Sequence, residues 1–94
     1  MRMTSQRERT DDYDRVVTKI NDRWRVIICR DGIQWILQKR EGERDGRARW
    51  TGVSYSTGRK ALIRVVFDHG CEPQPGAMDC LNALPEKIEQ MKNE

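Results

Sequence analysis

The most constraining stretch of the chain is RWRVIICRDGIQWILQKR, residues 23–40. Its polarity alternates with a period of two on both sides of an Asp-Gly pair. Successive side chains of a strand point to opposite faces, so the pattern divides the stretch into an apolar set and a polar set. Trp24, Val26 and Ile28 fall on one face of the first arm, and Arg23, Arg25, Ile27 and Cys29 on the other. Asp31-Gly32 suits a hairpin turn, whose centre needs positive φ. The return arm puts Ile33, Trp35 and Leu37 on the apolar face and Gln34, Ile36, Gln38 and Arg40 opposite. A slip of one residue would exchange the two faces, so burial of the apolar set sets the register.

Around this hairpin the chain reads as an α+β domain: a three-stranded antiparallel sheet packed by one helix and followed by a C-terminal helical pair. Residues 1–14, opening MRMTSQRERTDD, lack apolar periodicity and read as a flexible N-terminal arm. Tyr13, Val16, Val17 and Ile20 have helical spacing but β-branched content, so residues 13–20 are open to either helix or strand. EGERDG reads as a polar loop, and RARWTGVSY as the third strand, with Ala48 and Trp50 alternating against Arg47, Arg49 and Thr51. Gly52 points to a bulge or a close backbone approach. Ser56 or Thr57 is a candidate cap for a helix that presents Leu62, Val65, Val66 and His69 and stops at Gly70. Residues 15–70 thus form a basic sheet-plus-helix core. Residues 71–94 form a helical segment whose Leu81, Leu84, Ile88 and Met91 either pack on that core or mediate a homodimer.

Composition narrows the chemistry. Three cysteines, Cys29, Cys71 and Cys80, give an odd count with no close pair, so scattered reduced thiols are expected rather than a disulfide frame or a metal centre. The single histidine, His69, falls at a helix end, where it serves more readily as a cap or a packed ring than as a general base. The carboxylates Asp31, Glu41, Glu43 and Asp45 lie in turn or loop sequence, without an arrangement that would separate their pKa values. No phosphate-loop motif is present, and neither a catalytic role nor a cofactor is expected. No apolar run is long enough to span a bilayer and no signal-peptide core follows Met1, so a cytoplasmic location is the expectation.

Charge is the more informative signal. Residues 1–14 carry a net −1, residues 15–68 a net +7 and residues 69–94 a net −3. Arginine outnumbers lysine, and guanidinium forks match phosphates and guanine edges while glutamine amides match adenine. If the apolar set faces the helix, the opposite face carries Arg23, Arg25, Gln34, Gln38, Arg40, Arg47 and Arg49, with Lys39, Arg59 and Lys60 flanking. A nucleic-acid-binding surface, most naturally for duplex DNA, is the first expectation. Ile27, Cys29 and Ile36 interrupt that face with an apolar spot of the kind a protein partner covers.

The order of strands and helix, with ARWTGVSYSTGRKALIRV spanning the third strand and the helix, resembles the plant ethylene-response-factor DNA-binding domain and the three-stranded arm-binding domains of phage-type integrases. Trp50, Gly52, Tyr55, Thr57 and Ala61 stand where those families carry an aromatic-x-Gly strand leading into a Thr-capped, Ala-bearing helix. The resemblance covers about residues 23–69, and it implies a sheet that enters the major groove with Arg and Trp on the nucleic acid. RWRVI stands where the families have a Gly-rich entry to the first strand. The chain also looks like short proteins of bacterial genomes and mobile elements. That likeness raises a second function, a phage or mobile-element inhibitor that blocks a host protein complex, as anti-CRISPR proteins do.

Overall fold

A computed structural model describes residues 7–44 and 46–92. Four antiparallel strands form one sheet in chain order: β1 (Val16–Lys19), β2 (Trp24–Ile28), β3 (Trp35–Arg44) and β4 (Arg47–Ser56). Two helices follow, α1 (Arg59–Asp68) and α2 (Pro75–Asn82), then a short 3₁₀ helix over Ile88–Lys92. The architecture is the α+β class expected, with four strands where three were predicted. The added strand is β1, because Val16, Val17 and Thr18 are β-branched and favour an extended backbone over a helix. It joins β2 through a turn in which the Asn21 side-chain oxygen accepts from the N–H groups of Arg23 (2.8 Å) and Trp24 (3.2 Å).

The hairpin register follows the apolar pattern. Ile28 pairs with Trp35, Val26 with Leu37 and Arg25 with Gln38. Gly32 adopts φ 72°, and its N–H reaches the Cys29 carbonyl at 2.9 Å, so the Asp-Gly pair makes the turn. Ile33 departs from expectation: it lies in the turn outside β3 and is exposed, because strand pairing resumes only at Gln34 and Trp35. EGERDG departs too. Its first four residues continue β3, with irregular pairing between Arg40 and Glu43 and Gly42 at φ 100°. Their polarity mimics a loop because β3 and β4 here run past β2 as a ribbon, exposed at Glu41, Gly42, Glu43 and Arg47. The bulge expected near Gly52 is present, with Leu37 opposite Ser54 and Gln38 opposite Gly52.

One core lies between the sheet and the helices. Val26, Trp35 and Leu37 from the sheet meet Leu62 and Val66 of α1, and Ala77 and Leu81 of α2. Leu84 and Ile88 join the same cluster, and Met91 packs half-buried against it. Of the two roles open to these C-terminal side chains, packing on the core is the one realised in the single chain. That corrects their candidacy as a partner surface, since Leu81, Leu84 and Ile88 are buried. Each such side chain stabilises by roughly 1.5–3 kcal/mol. Trp35 Nε1 is the one buried side-chain polar atom without a hydrogen bond among the described residues.

Helix α1 ends as the sequence predicts. Gly70 takes φ 67°, its N–H bonds the Phe67 carbonyl at 3.0 Å, and the Cys71 N–H bonds the Val66 carbonyl at 3.1 Å. That pair of bonds satisfies the last helical carbonyls and carries Cys71 into the core. The expected Ser56 or Thr57 cap is not made: the N-cap is Gly58, with no side-chain bond. Ser56 is still the last residue of β4, paired with Trp35. His69 is exposed at the helix end, its ring 5.7 Å from that of Trp24.

Candidate nucleic-acid interface

The outer sheet face, opposite the helices, carries Arg25, Ile27, Cys29, Ile36 and Gln38, as alternation requires. It is not open. Residues 7–14, read from sequence as part of a flexible arm, cross it as a strap; residues 1–6 of that arm lie outside the described residues. The strap begins beside the edge strand β4, where the Trp50 N–H donates to the Arg9 carbonyl at 2.9 Å and Thr10 bridges to Arg49. It ends above β2, where the Tyr13 hydroxyl donates to the Ile28 carbonyl at 2.7 Å. Tyr13 covers Ile27, Cys29 and Ile36 and forms with them a second small core.

Arg25 is the anchor of the strap and is only 1% exposed. Its Nε donates to Gln38 Oε1 at 2.6 Å, its Nη1 to the Asp11 carbonyl at 3.2 Å, and its Nη2 to the carbonyls of Glu8 and Thr10 at 2.9 and 2.8 Å. The guanidinium also lies 4.5 Å from the centre of the Trp50 ring. Gln38 completes the set by donating from Nε2 to the Glu8 carbonyl at 2.8 Å. Trp50 donates its Nε1 to Asp11 at 3.0 Å. Desolvation pulls the Arg25 guanidinium below its usual value, to about 10, against the opposing pull of Asp11, so it stays charged at neutral pH. Only a planar fork can serve three carbonyls and a side-chain oxygen while stacking on a ring.

This arrangement corrects two groups of expected contacts. Arg25 and Gln38, expected to meet nucleic acid, are buried in bonds to the chain's own backbone. Ile27, Cys29 and Ile36, expected as an apolar spot for a partner, are covered by Tyr13. Burial and the Glu8 carboxylate raise the Tyr13 hydroxyl from 10.0 to about 12. Between those values the folded chain holds a proton that the unfolded chain releases, so this contribution is complete below pH 10 and is lost as pH rises to about 12. Tyr13→Phe is therefore expected to flatten the alkaline fall in stability measured by urea unfolding. An unchanged profile would contradict the burial of that hydroxyl.

The remaining expected residues are scattered. Arg23 is exposed in the turn before β2, and Gln34 is half-buried in the hairpin turn. Arg40 is exposed and paired with Glu43 at 3.3 Å. Arg59 is half-buried, its Nη1 donating to the Leu84 carbonyl at 2.8 Å, and Lys60 is exposed nearby. Arg47 and Arg49 do come together with new partners. They line an open cavity of about 540 Å³ with Arg7, Arg9, Asp11 and Asp12 where the strap meets β4. Asp12 reaches Arg47 at 3.3 Å, and Asp11 is engaged with Trp50. Four arginines and two aspartates thus line the cavity, and one of the arginines, Arg47, is paired with Asp12.

Sequence reasoning missed Arg7, Arg9, Asp11 and Asp12 because the strap has no periodicity. The signal that pointed toward it was the apolar spot of Ile27, Cys29 and Ile36, which required a cover. Among the described residues, no group of three or more His, Cys, Asp or Glu could hold a metal, and no helix is long and apolar enough to cross a membrane. Compared with known proteins, the chain matches no family model, no curated protein and no solved structure.

Proposed function

We propose that this chain is a small non-catalytic nucleic-acid-binding protein that grips phosphates where the strap crosses the start of β4. The observation that carries the reading is the convergence of Arg9, Arg47 and Arg49 on one open cavity. Guanidinium groups are the side chains best matched to phosphate oxygens, and the arginines outnumber the two aspartates that share the cavity wall. Arg25 and Gln38, the best candidates for reading base edges, are consumed inside the domain. Contact is thus directed at the backbone of the nucleic acid, and sequence preference should be weak. The reading moves the site from the sheet face, where the resemblance to sheet-based DNA binders would put it, to the rim of the sheet. The apolar spot that favoured a blocking protein–protein contact is covered by Tyr13, so no observation favours that second reading.

The test is an equilibrium titration of a labelled duplex and of one of its single strands at several salt concentrations. Engagement of three phosphates, by Arg9, Arg47 and Arg49, predicts a slope of log K against log salt of about −2.7 for duplex and about −2.1 for single strand. Absence of binding to both forms at low salt, or flat slopes, would overturn the proposal.

A further inference from the structure

Tyr55 is a large aromatic left 57% exposed on the sheet, and its setting is specific. The phenol lies across Gly52: a methyl group there would stand 2.7 Å from Tyr55 Oη, 3.2 Å from its Cζ and 3.1 Å from Ile36 Cγ2. The absence of a side chain at Gly52 is therefore what seats the ring against the sheet on one side. Its other side is left to solvent. Beyond the ring, an open cavity of about 420 Å³ is lined by Lys60 and Lys87, with Glu86 also on its wall. The Glu86 carbonyl is engaged by the Arg59 N–H at 2.9 Å.

Tyr55 and the arginine cavity lie on the same strand. Arg49 and Tyr55 are six residues apart in β4, roughly 20 Å at about 3.3 Å per residue. Trp50 donates to the strap at the near end, and Thr57 accepts from the Ile88 N–H at 2.9 Å beyond the far end. Among the described residues, no backbone hydrogen bond from another segment reaches the outer edge of β4 between them. An exposed edge strand thus runs from an arginine-lined cavity to an aromatic ring beside a cavity lined by Lys60 and Lys87.

We infer that the nucleic acid is single-stranded and follows β4, an unpaired base stacking on Tyr55 while Lys60 and Lys87 meet the neighbouring phosphates. This rests on the phosphate-binding reading given above. A duplex keeps its bases stacked on one another and has no free base face to offer the ring. A single strand has one for every nucleotide, and stacking of this kind tolerates any base.

The experiment titrates a fluorescein-labelled 12-nucleotide single strand and the matching duplex against wild type, Tyr55→Ala, Tyr55→Phe and a Lys60→Ala, Lys87→Ala double variant. Circular dichroism checks the fold of each. Tyr55→Ala is expected to weaken single-strand binding roughly ten- to hundredfold and leave duplex binding unchanged, whereas Tyr55→Phe stays within about twofold of wild type. With the two lysines added to the three arginines the single-strand slope becomes about −3.5, and the lysine variant should bring it back by about 1.4 to the value of about −2.1 for the arginine site alone. If wild type binds both forms and neither Tyr55→Ala nor the lysine variant alters single-strand binding, this inference falls and the arginine site stands. If wild type binds neither form at low salt, both fall.

Discussion

Arg25→Ala is expected to lower the unfolding free energy by about 3–5 kcal/mol, a large part of the stability of so small a domain. Two costs combine. Removing the guanidinium strands the Asp11 carbonyl and Gln38 Oε1, while the Glu8 carbonyl keeps Gln38 Nε2 and the Thr10 carbonyl keeps the Tyr13 N–H; each buried acceptor without a donor costs about 1–3 kcal/mol before water enters. It also opens a void over Trp50. The strap should then loosen, because Arg25 supplies the three bonds at its centre and its only buried apolar side chain is Tyr13. Arg25→Lys should recover little, since an ammonium has three donors, no plane to stack and no fork to span three carbonyls. Urea unfolding measures the loss. Hydrogen exchange at the Trp50 amide, which bonds the Arg9 carbonyl, reports the strap directly. A cost under about 1 kcal/mol with the Trp50 amide still protected would contradict the anchoring role.

That anchor also explains how much of the molecule was legible in the sequence. Alternation along residues 23–40 places Val26, Ile28, Trp35 and Leu37 toward the helices, and the structure has them there. Gly32 in the turn and Gly70 at the helix end were readable because positive φ leaves a strong residue preference. The strap was not readable, because Arg25 and Gln38 hold it by backbone carbonyls, which every residue has. Its own sequence, RERTDDYD, shows only charge. The ribbon at Glu41–Arg44 was hidden for a related reason: a strand solvated at most of its positions shows no alternation. For the site, Arg47 and Arg49 were legible as basic strand residues. Their partners Arg7 and Arg9 lie some 40 residues earlier, and only the path of the strap brings them to the same cavity. Arg25 looked equally suited to nucleic acid. Surface and interior use the same residue type here, and only the presence of a cover separates them.

Reversal of two charges in the cavity, Arg9→Glu with Arg49→Glu, is expected to weaken nucleic-acid binding by on the order of a hundredfold or more at about 50 mM salt. Each change removes a phosphate contact and puts a carboxylate in its place. The fold should survive, because Arg9 bonds the sheet through its carbonyl and Arg49 pairs through its backbone. Arg47 would remain as the one contact of the three, so the duplex slope should fall from about −2.7 to about −0.9. A global charge effect is separated by Lys19→Glu with Arg64→Glu, which makes the same change in net charge at residues that do not line the cavity. The most direct measurement of the central claim is therefore the salt-dependent titration of these two double variants beside wild type. The phosphate site at the strap–β4 crossing predicts a large loss and a shallow slope for the cavity variant and a small loss with an unchanged slope for the remote one. Equal losses in the two variants, or a cavity variant that binds like wild type, would contradict it.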